Sequence, residues 1–133
     1  PLERDLLLNA RDYIRQGRYG LAVFELGTAL EIAVNNLLLS KGVGEKRLRC
    51  LHFKDKYDKA LREHADASLR DANGNLFSEI LKIWNIRNNV AHKRLTAFTD
   101  EKGRVIERIE SRDQVEPLTK STEQTLSYLD SMH

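Results

Sequence analysis

The chain has 133 residues, 41% hydrophobic and 32% charged, with a formal net charge of +2; this is the composition of one ordinary folded domain that can bury a core unaided. Cys50 is the single cysteine, which excludes an intrachain disulfide and a cysteine-built metal site, and His52, His64, His92 and His133 show no metal-ligand spacing. No apolar run approaches the ~20 residues of a membrane helix and no signal-peptide pattern opens the chain, so the expected setting is the cytoplasm, with no membrane, metal or cofactor involved.

Leu2, Leu6, Ala10, Tyr13 and Ile14 recur at helical spacing and predict a first helix over residues 2–16, stopped by Gly17. Residues 19–40 form the most apolar stretch and read as a central helix, ended by Lys41-Gly42-Val43-Gly44. One polar stripe survives on it, Glu25, Thr28, Glu31 and Asn35, at steps of three and four. The stripe either faces solvent or supplies Glu25 or Glu31 as a buried partner for Arg87. Lys41, Lys46, Arg47, Arg49, Lys54 and Lys56 then crowd a stretch that reads as a phosphate-contacting patch or as a solvated loop.

A third helix is expected over residues 52–65, with Phe53, Tyr57, Ala60 and Leu61 on its apolar side. Residues 66–75 are turn-rich, and Asn75 is the expected N-cap of a fourth helix running to about Leu95, with Glu79 in its first turn. Beyond it the period changes. β-formers flank Asp100-Glu101-Lys102-Gly103 and predict a hairpin at about residues 95–109, which must lean on the bundle or on a partner chain. A last helix, about residues 112–131, starts near Ser111 or Asp113, with Gln114 placed for a capping box and Pro117 in its opening turns. Leu118, Thr122, Thr125, Leu126 and Leu129 give it a modest apolar face. The fold class is all-α: one domain, residues 1–133, a helical bundle with a small β-hairpin before the C-terminal helix.

The fourth helix carries the most informative pattern. At ~100° per residue, with Arg87 at zero, its apolar arc runs from Val90 at about −60° through Ile83, Leu76, Ile80, Ala91, Trp84 and Phe77 to Leu81 at about +120°. Arg87 and Asn88 fall inside that arc and His92 stands on its rim at about +140°. A guanidinium and an amide on a buried face are costly without partners, so the placement asks for a partner, a ligand or a reaction. An arc this wide also exceeds what one neighbouring helix covers, and a twofold homodimer with the fourth helix near its axis is expected.

The Gly-Arg-Tyr lead-in to a long Ala/Leu-rich helix, followed by a later helix bearing Ile86-Arg87-Asn88-Asn89-Val90-Ala91-His92, resembles the HEPN superfamily (higher eukaryotes and prokaryotes nucleotide-binding). The family signature is Arg, four to six residues, then His, often with a polar residue after the Arg; Arg87, Asn88 and His92 match it with a four-residue gap. The resemblance covers residues 2–95, and the hairpin is an addition to it. It implies a metal-independent endoribonuclease, a toxin or phage-defence effector, in which two protomers bring both Arg–His pairs to one cleft. An antitoxin or a fused domain would control such a protein. It equally admits an inactive RNA-binding or dimerisation module of a larger system. A sibling pattern with a modifiable Tyr two residues after the His is absent, since Arg94 stands there.

The chemistry fits the residue types. Metal-free RNA cleavage uses the 2′-hydroxyl as nucleophile and needs a base beside it and a cation beside the phosphorane. The imidazole of His92 suits the first task, because histidine exchanges protons near neutral pH. Arg87 suits the second, its planar fork matching phosphate oxygens. Asn88, one turn from His92, is placed to orient the imidazole or to bind substrate. Lys93 and Arg94 are candidate RNA contacts. Against this stand structural readings: an Arg87 ion pair with Glu25 or Glu31, His92 as a helix-end cation, Asn88 as a register device, and an unrelated helical bundle.

Overall fold

The computed structural model describes residues 1–133. Helix α1 (Leu2–Arg15) turns at Gly17, whose φ of 73° suits glycine, into α2 (Tyr19–Ser40). There follow α3 (Glu45–Cys50), α4 (residues 53–65), α5 (Leu69–Ala72) and α6 (Gly74–Lys93), then strands β1 (Ala97–Thr99) and β2 (Val105–Arg108), and finally α7 (Arg112–Asp130). The chain is therefore an all-α bundle with a two-stranded antiparallel hairpin before its last helix.

Helix α2 packs against α1, α6 and α7 and is the centre of the bundle. Ala22, Val23, Leu26, Ala29, Leu30, Val34, Leu37 and Leu38 of α2 are fully buried, and the core runs from Leu7 to Leu129. By length and composition α2, with a stretch of mean hydropathy 1.4, is apolar enough to cross a membrane, which corrects the expectation that no such run exists. More than half of that stretch, 56%, is buried inside the bundle. A helix wrapped on several sides by other helices must be apolar nearly all round.

Two other expectations change. The basic stretch after α2 is not a loop: Glu45–Cys50 is a helix, buried only at Leu48. And α6 is capped by Asn73, not Asn75, with Asn73 Oδ1 accepting from Leu76 N at 3.0 Å. The helix stops at Lys93 because Arg94 turns left-handed (φ 51°), and the Leu95 N–H reaches back to the Asn89 carbonyl at 3.1 Å. The capping box at the start of α7 forms as expected between Ser111 and Gln114.

Within α4 the segments Phe53–Asp55 and Leu61–Ala65 are α-helical, but Lys56–Ala60 between them is a π turn. It buries Lys56, Tyr57 and Asp58 in succession. The Tyr57 hydroxyl donates to the Leu30 carbonyl of α2 at 2.6 Å, and burial raises that phenol well above its ordinary range, with the Glu31 carboxylate adding to the effect.

Candidate functional site

Helices α2 and α6 cross closely. A Cβ placed on Gly27 would lie 2.8 Å from Arg87 Cβ and 2.8 Å from its Cγ, so only glycine lets the arginine stem lie against the α2 backbone. The guanidinium then rests between two rings, its Cζ 4.8 Å from the centroid of Phe24 and 4.7 Å from that of Trp84. Trp84 in turn stacks on Phe53, with centroids 4.4 Å apart and planes within 3°. Arg87 Nη1 donates to Asn88 Oδ1 at 3.2 Å, while its Nε is buried without an acceptor.

No carboxylate neutralises Arg87. Glu31 lies against Lys56, with Oε2 to Nζ 3.6 Å, and Glu25 makes no ion pair; partial burial raises its carboxyl above the usual range. Of the two readings of the α2 stripe, the one that pairs Glu25 or Glu31 with Arg87 is thus set aside. Aromatic faces take the place of a counter-ion, and cation–ring attraction contributes about 0.5–2 kcal/mol without cancelling the charge.

His92 is exposed in the last turn of α6 and engages no hydrogen bond or ion pair within the chain. Asn88 is half-buried with its oxygen turned to Arg87, so it does not orient the imidazole, which is a correction to one of its expected roles. Ala91, expected on the apolar arc, is exposed, and Trp84, Arg87 and Asn88 are only half-buried. The centre of the arc toward the C-terminal end of α6 is therefore uncovered. Beside it α2 exposes Leu21 and leaves Phe24, Thr28 and Ile32 half-buried.

The amides that serve structure are Asn85 and Asn89, which sequence reading passed over. Asn89, 5% exposed, donates from Nδ2 to the Ala97 carbonyl at 2.8 Å and to Thr99 Oγ1 at 3.0 Å. Asn85 Oδ1 accepts from the Thr99 N–H at 2.9 Å. Together they dock β1 on the side of α6 away from Arg87. The only available signal was their spacing of one helical turn on a face that looks solvent-exposed until the hairpin covers it.

Most arginines on the rest of the surface meet carboxylates: Arg4, Arg11, Arg15, Arg47, Arg62, Arg70, Arg104 and Arg112 all form ion pairs. Arg18, Arg49, Arg87, Arg94 and Arg108 do not. Arg18 and Arg94 share one shallow depression with Leu21 and Val90 at the α6 end. Lys93, also exposed, approaches the hairpin turn at Gly103. No group of three or more His, Cys, Asp or Glu side chains gathers anywhere in the chain. No known family model, curated protein or solved structure matches the chain.

Proposed function

We propose that this protein is a HEPN-type, metal-independent endoribonuclease acting as a homodimer, with Arg87, Asn88 and His92 as its catalytic set. The observation that carries the reading is the state of Arg87: a permanently charged, half-buried guanidinium, held in place by Gly27, Phe24 and Trp84, with no carboxylate to neutralise it. A cation fixed this way and left uncompensated is an anion site, and its fork suits the oxygens of a phosphodiester. One turn further along α6 the exposed His92 provides a proton carrier.

In the reaction, the imidazole of His92 takes the proton of the 2′-hydroxyl as the 2′-oxygen bonds to phosphorus. Arg87 stabilises the negative charge that builds on the non-bridging oxygens. The bond from phosphorus to the 5′-oxygen breaks, and an imidazolium, supplied by the second protomer's His92, gives that oxygen its proton. The products are a 2′,3′-cyclic phosphate and a 5′-hydroxyl. Asn88 holds the Arg87 fork through the bond at 3.2 Å and has its amide N–H groups left for substrate. Lys93 and Arg94 flank the cleft as backbone contacts.

What favours a dimer is the uncovered part of the arc. Ala91 on α6 and Leu21 and Leu39 on α2 are exposed on one side of the molecule, with Phe24, Trp84 and Ile32 half-buried among them. A twofold partner there would bring two Arg87–His92 pairs together. A toxin or defence role under an antitoxin or a fused domain belongs to the same proposal. The test is incubation of single-stranded RNA in EDTA with wild type and with Arg87→Ala and His92→Ala. Cleavage by wild type alone, with cyclic-phosphate ends, is the expected result. Equal cleavage by all three identifies a contaminant, and cleavage by none favours an inactive RNA-binding module.

A further inference from the structure

Along α2 the row of side chains through Phe24 and Gly27 continues to Glu31 and Asn35. At ~100° per residue Phe24, Gly27, Glu31 and Asn35 lie within about 80° of one another, and Glu31 and Asn35 stand ~6 and ~12 Å past Gly27 along the axis. There a second pocket opens, about 430 Å³, lined by Glu31, Asn35, Leu48, Arg49, Leu51 and Lys56. Its size falls in the range of small-ligand sites.

Four features of this pocket are unusual for a structural cleft. The Lys56 side chain is 6% exposed and forms one ion pair, with Glu31 at 3.6 Å. Asn35 Oδ1 is buried with no donor, a state that costs roughly 1–3 kcal/mol unless something fills it. Arg49 is exposed and has no carboxylate partner, unlike Arg47 two residues before it, which meets Glu63. And Lys56 opens the π turn of α4, a distortion that recurs where a helix must aim side chains at a ligand.

We infer that the pocket formed by Glu31, Asn35, Arg49 and Lys56 is a ribose-phosphate subsite, holding the nucleotide unit next to the one cleaved at Arg87. The donor and acceptor types sort themselves. Lys56 and Arg49 are two cations for a phosphate. Glu31 and Asn35 Oδ1 are acceptors only; an internal ribose offers one of them its 2′-hydroxyl, and a chain-terminal ribose offers a second hydroxyl to the other. The carboxylate of Glu31 opposes a phosphate placed directly on it, so the phosphate belongs on the Arg49 side and the sugar on the Glu31 and Asn35 side. Hydroxyl recognition of this kind separates RNA from DNA. Phe53, three residues before Lys56 on α4, stacks on Trp84, which also touches Arg87, so α4 connects the two sites through the core.

The inference rests on the ribonuclease reading for its place in a longer substrate, but its test does not. Trp84 is the only tryptophan and stacks on Phe53 of the helix that carries Lys56. The first arm titrates the protein with ribose 5-phosphate, 2-deoxyribose 5-phosphate and inorganic phosphate, following Trp84 fluorescence and the side-chain NMR signals of Asn35 and Arg49. Saturable binding of ribose 5-phosphate is expected, several-fold tighter than the deoxy sugar, and weakened about tenfold in Arg49→Gln and in Lys56→Gln. Arg49→Gln carries the test if the buried Lys56 variant fails to fold. The second arm measures RNA cleavage: Arg49→Gln should raise KM several-fold with kcat unchanged. Ribose 5-phosphate binding with no cleavage by any variant retires the nuclease reading and keeps the subsite. No binding of either sugar phosphate, or binding indifferent to Arg49→Gln, overturns the subsite whatever the RNA assay gives.

Discussion

Gly27 and Arg87 meet backbone to stem: a single added methyl on Gly27 would sit 2.8 Å from two carbons of the arginine. Glycine in the middle of a helix costs up to ~1 kcal/mol relative to alanine, and here that cost is what admits the guanidinium to the face of α2. Gly27→Ala should therefore push α6 away rather than stabilise α2. Overpacking of this kind costs about 1–3 kcal/mol. We expect a lower melting temperature together with loss of RNA cleavage, measured on the same preparation. A more stable, fully active variant would show that the contact is not what positions Arg87.

Arg87→Ala and His92→Ala should each lower the cleavage rate by roughly 10²–10⁴, and Arg87→Lys should not restore it, because a point charge does not reproduce the fork. Both alanine variants should keep their fold. His92 is exposed, and removing Arg87 strands no carboxylate, only the two ring contacts worth about 0.5–2 kcal/mol. Thermal unfolding alongside the kinetics separates the two effects; a collapse of stability in Arg87→Ala would point to a structural role.

The neighbouring asparagines should divide cleanly. Asn89→Ala removes the side-chain donor to the Ala97 carbonyl and one of the two to Thr99 Oγ1, the other coming from Asn85 Nδ2; it should cost about 1–3 kcal/mol, with faster amide exchange in β1. Asn88→Ala should cost little stability and reduce activity. Chemical denaturation of the pair decides it, and equal destabilisation would contradict the assignment.

Association has a simple readout. At tens of micromolar, light scattering should give about twice the 15.3 kDa of one chain, and Leu21→Glu, on the exposed side of α2, should return the monomer with its helicity intact. A wild-type monomer at that concentration would remove the composite cleft from the mechanism.

Acid sensitivity should centre on Asp58. Its carboxylate, 7% exposed, accepts from Ser68 Oγ at 2.7 Å and Arg62 Nη2 at 2.9 Å, with Arg70 Nη1 at 3.6 Å. The Ser68 hydrogen bond first, then the two arginines, hold it below the usual carboxylate range. A carboxyl lowered in the folded state stabilises fully above its unfolded value of about 3.9 and loses that contribution as pH falls through the folded value. Asp58→Asn should be less stable than wild type by roughly 1.5–3 kcal/mol at pH 7, and the gap should close as melting curves are taken below about pH 4. Parallel curves down to pH 2 would sink this.

The parts of the fold that could be read from the chain are those governed by local rules. Helices α1 and α2 follow from periodicity and from glycine stops, and α7 from the Ser111–Gln114 box. The hairpin follows from Asp100–Gly103 between β-formers. What could not be read depends on contacts distant in sequence. Helix α3 has one buried residue and no apolar period. Asn89 looks solvent-facing until β1 arrives. A carboxylate on α2 was one of the partners the spacing offers Arg87, and nothing in the spacing of Phe24 and Trp84 announces that two rings would hold it instead.

The π turn makes chain length itself a specified quantity. In a regular helix three consecutive side chains fan out over about 200°, yet Lys56, Tyr57 and Asp58 are all anchored, to Glu31, to the Leu30 carbonyl and to Ser68. The wider turn amounts to one residue more than an α-helix would use over the same span. Deleting any one of residues 56–60 would regularise the helix and leave Phe53 and Leu61 in nearly the same relation, but the shortened turn would no longer let Lys56, Tyr57 and Asp58 all reach their anchors. Substitutions here exchange one side chain for another; a one-residue deletion would keep the direction of both helical halves and take an anchor from between them.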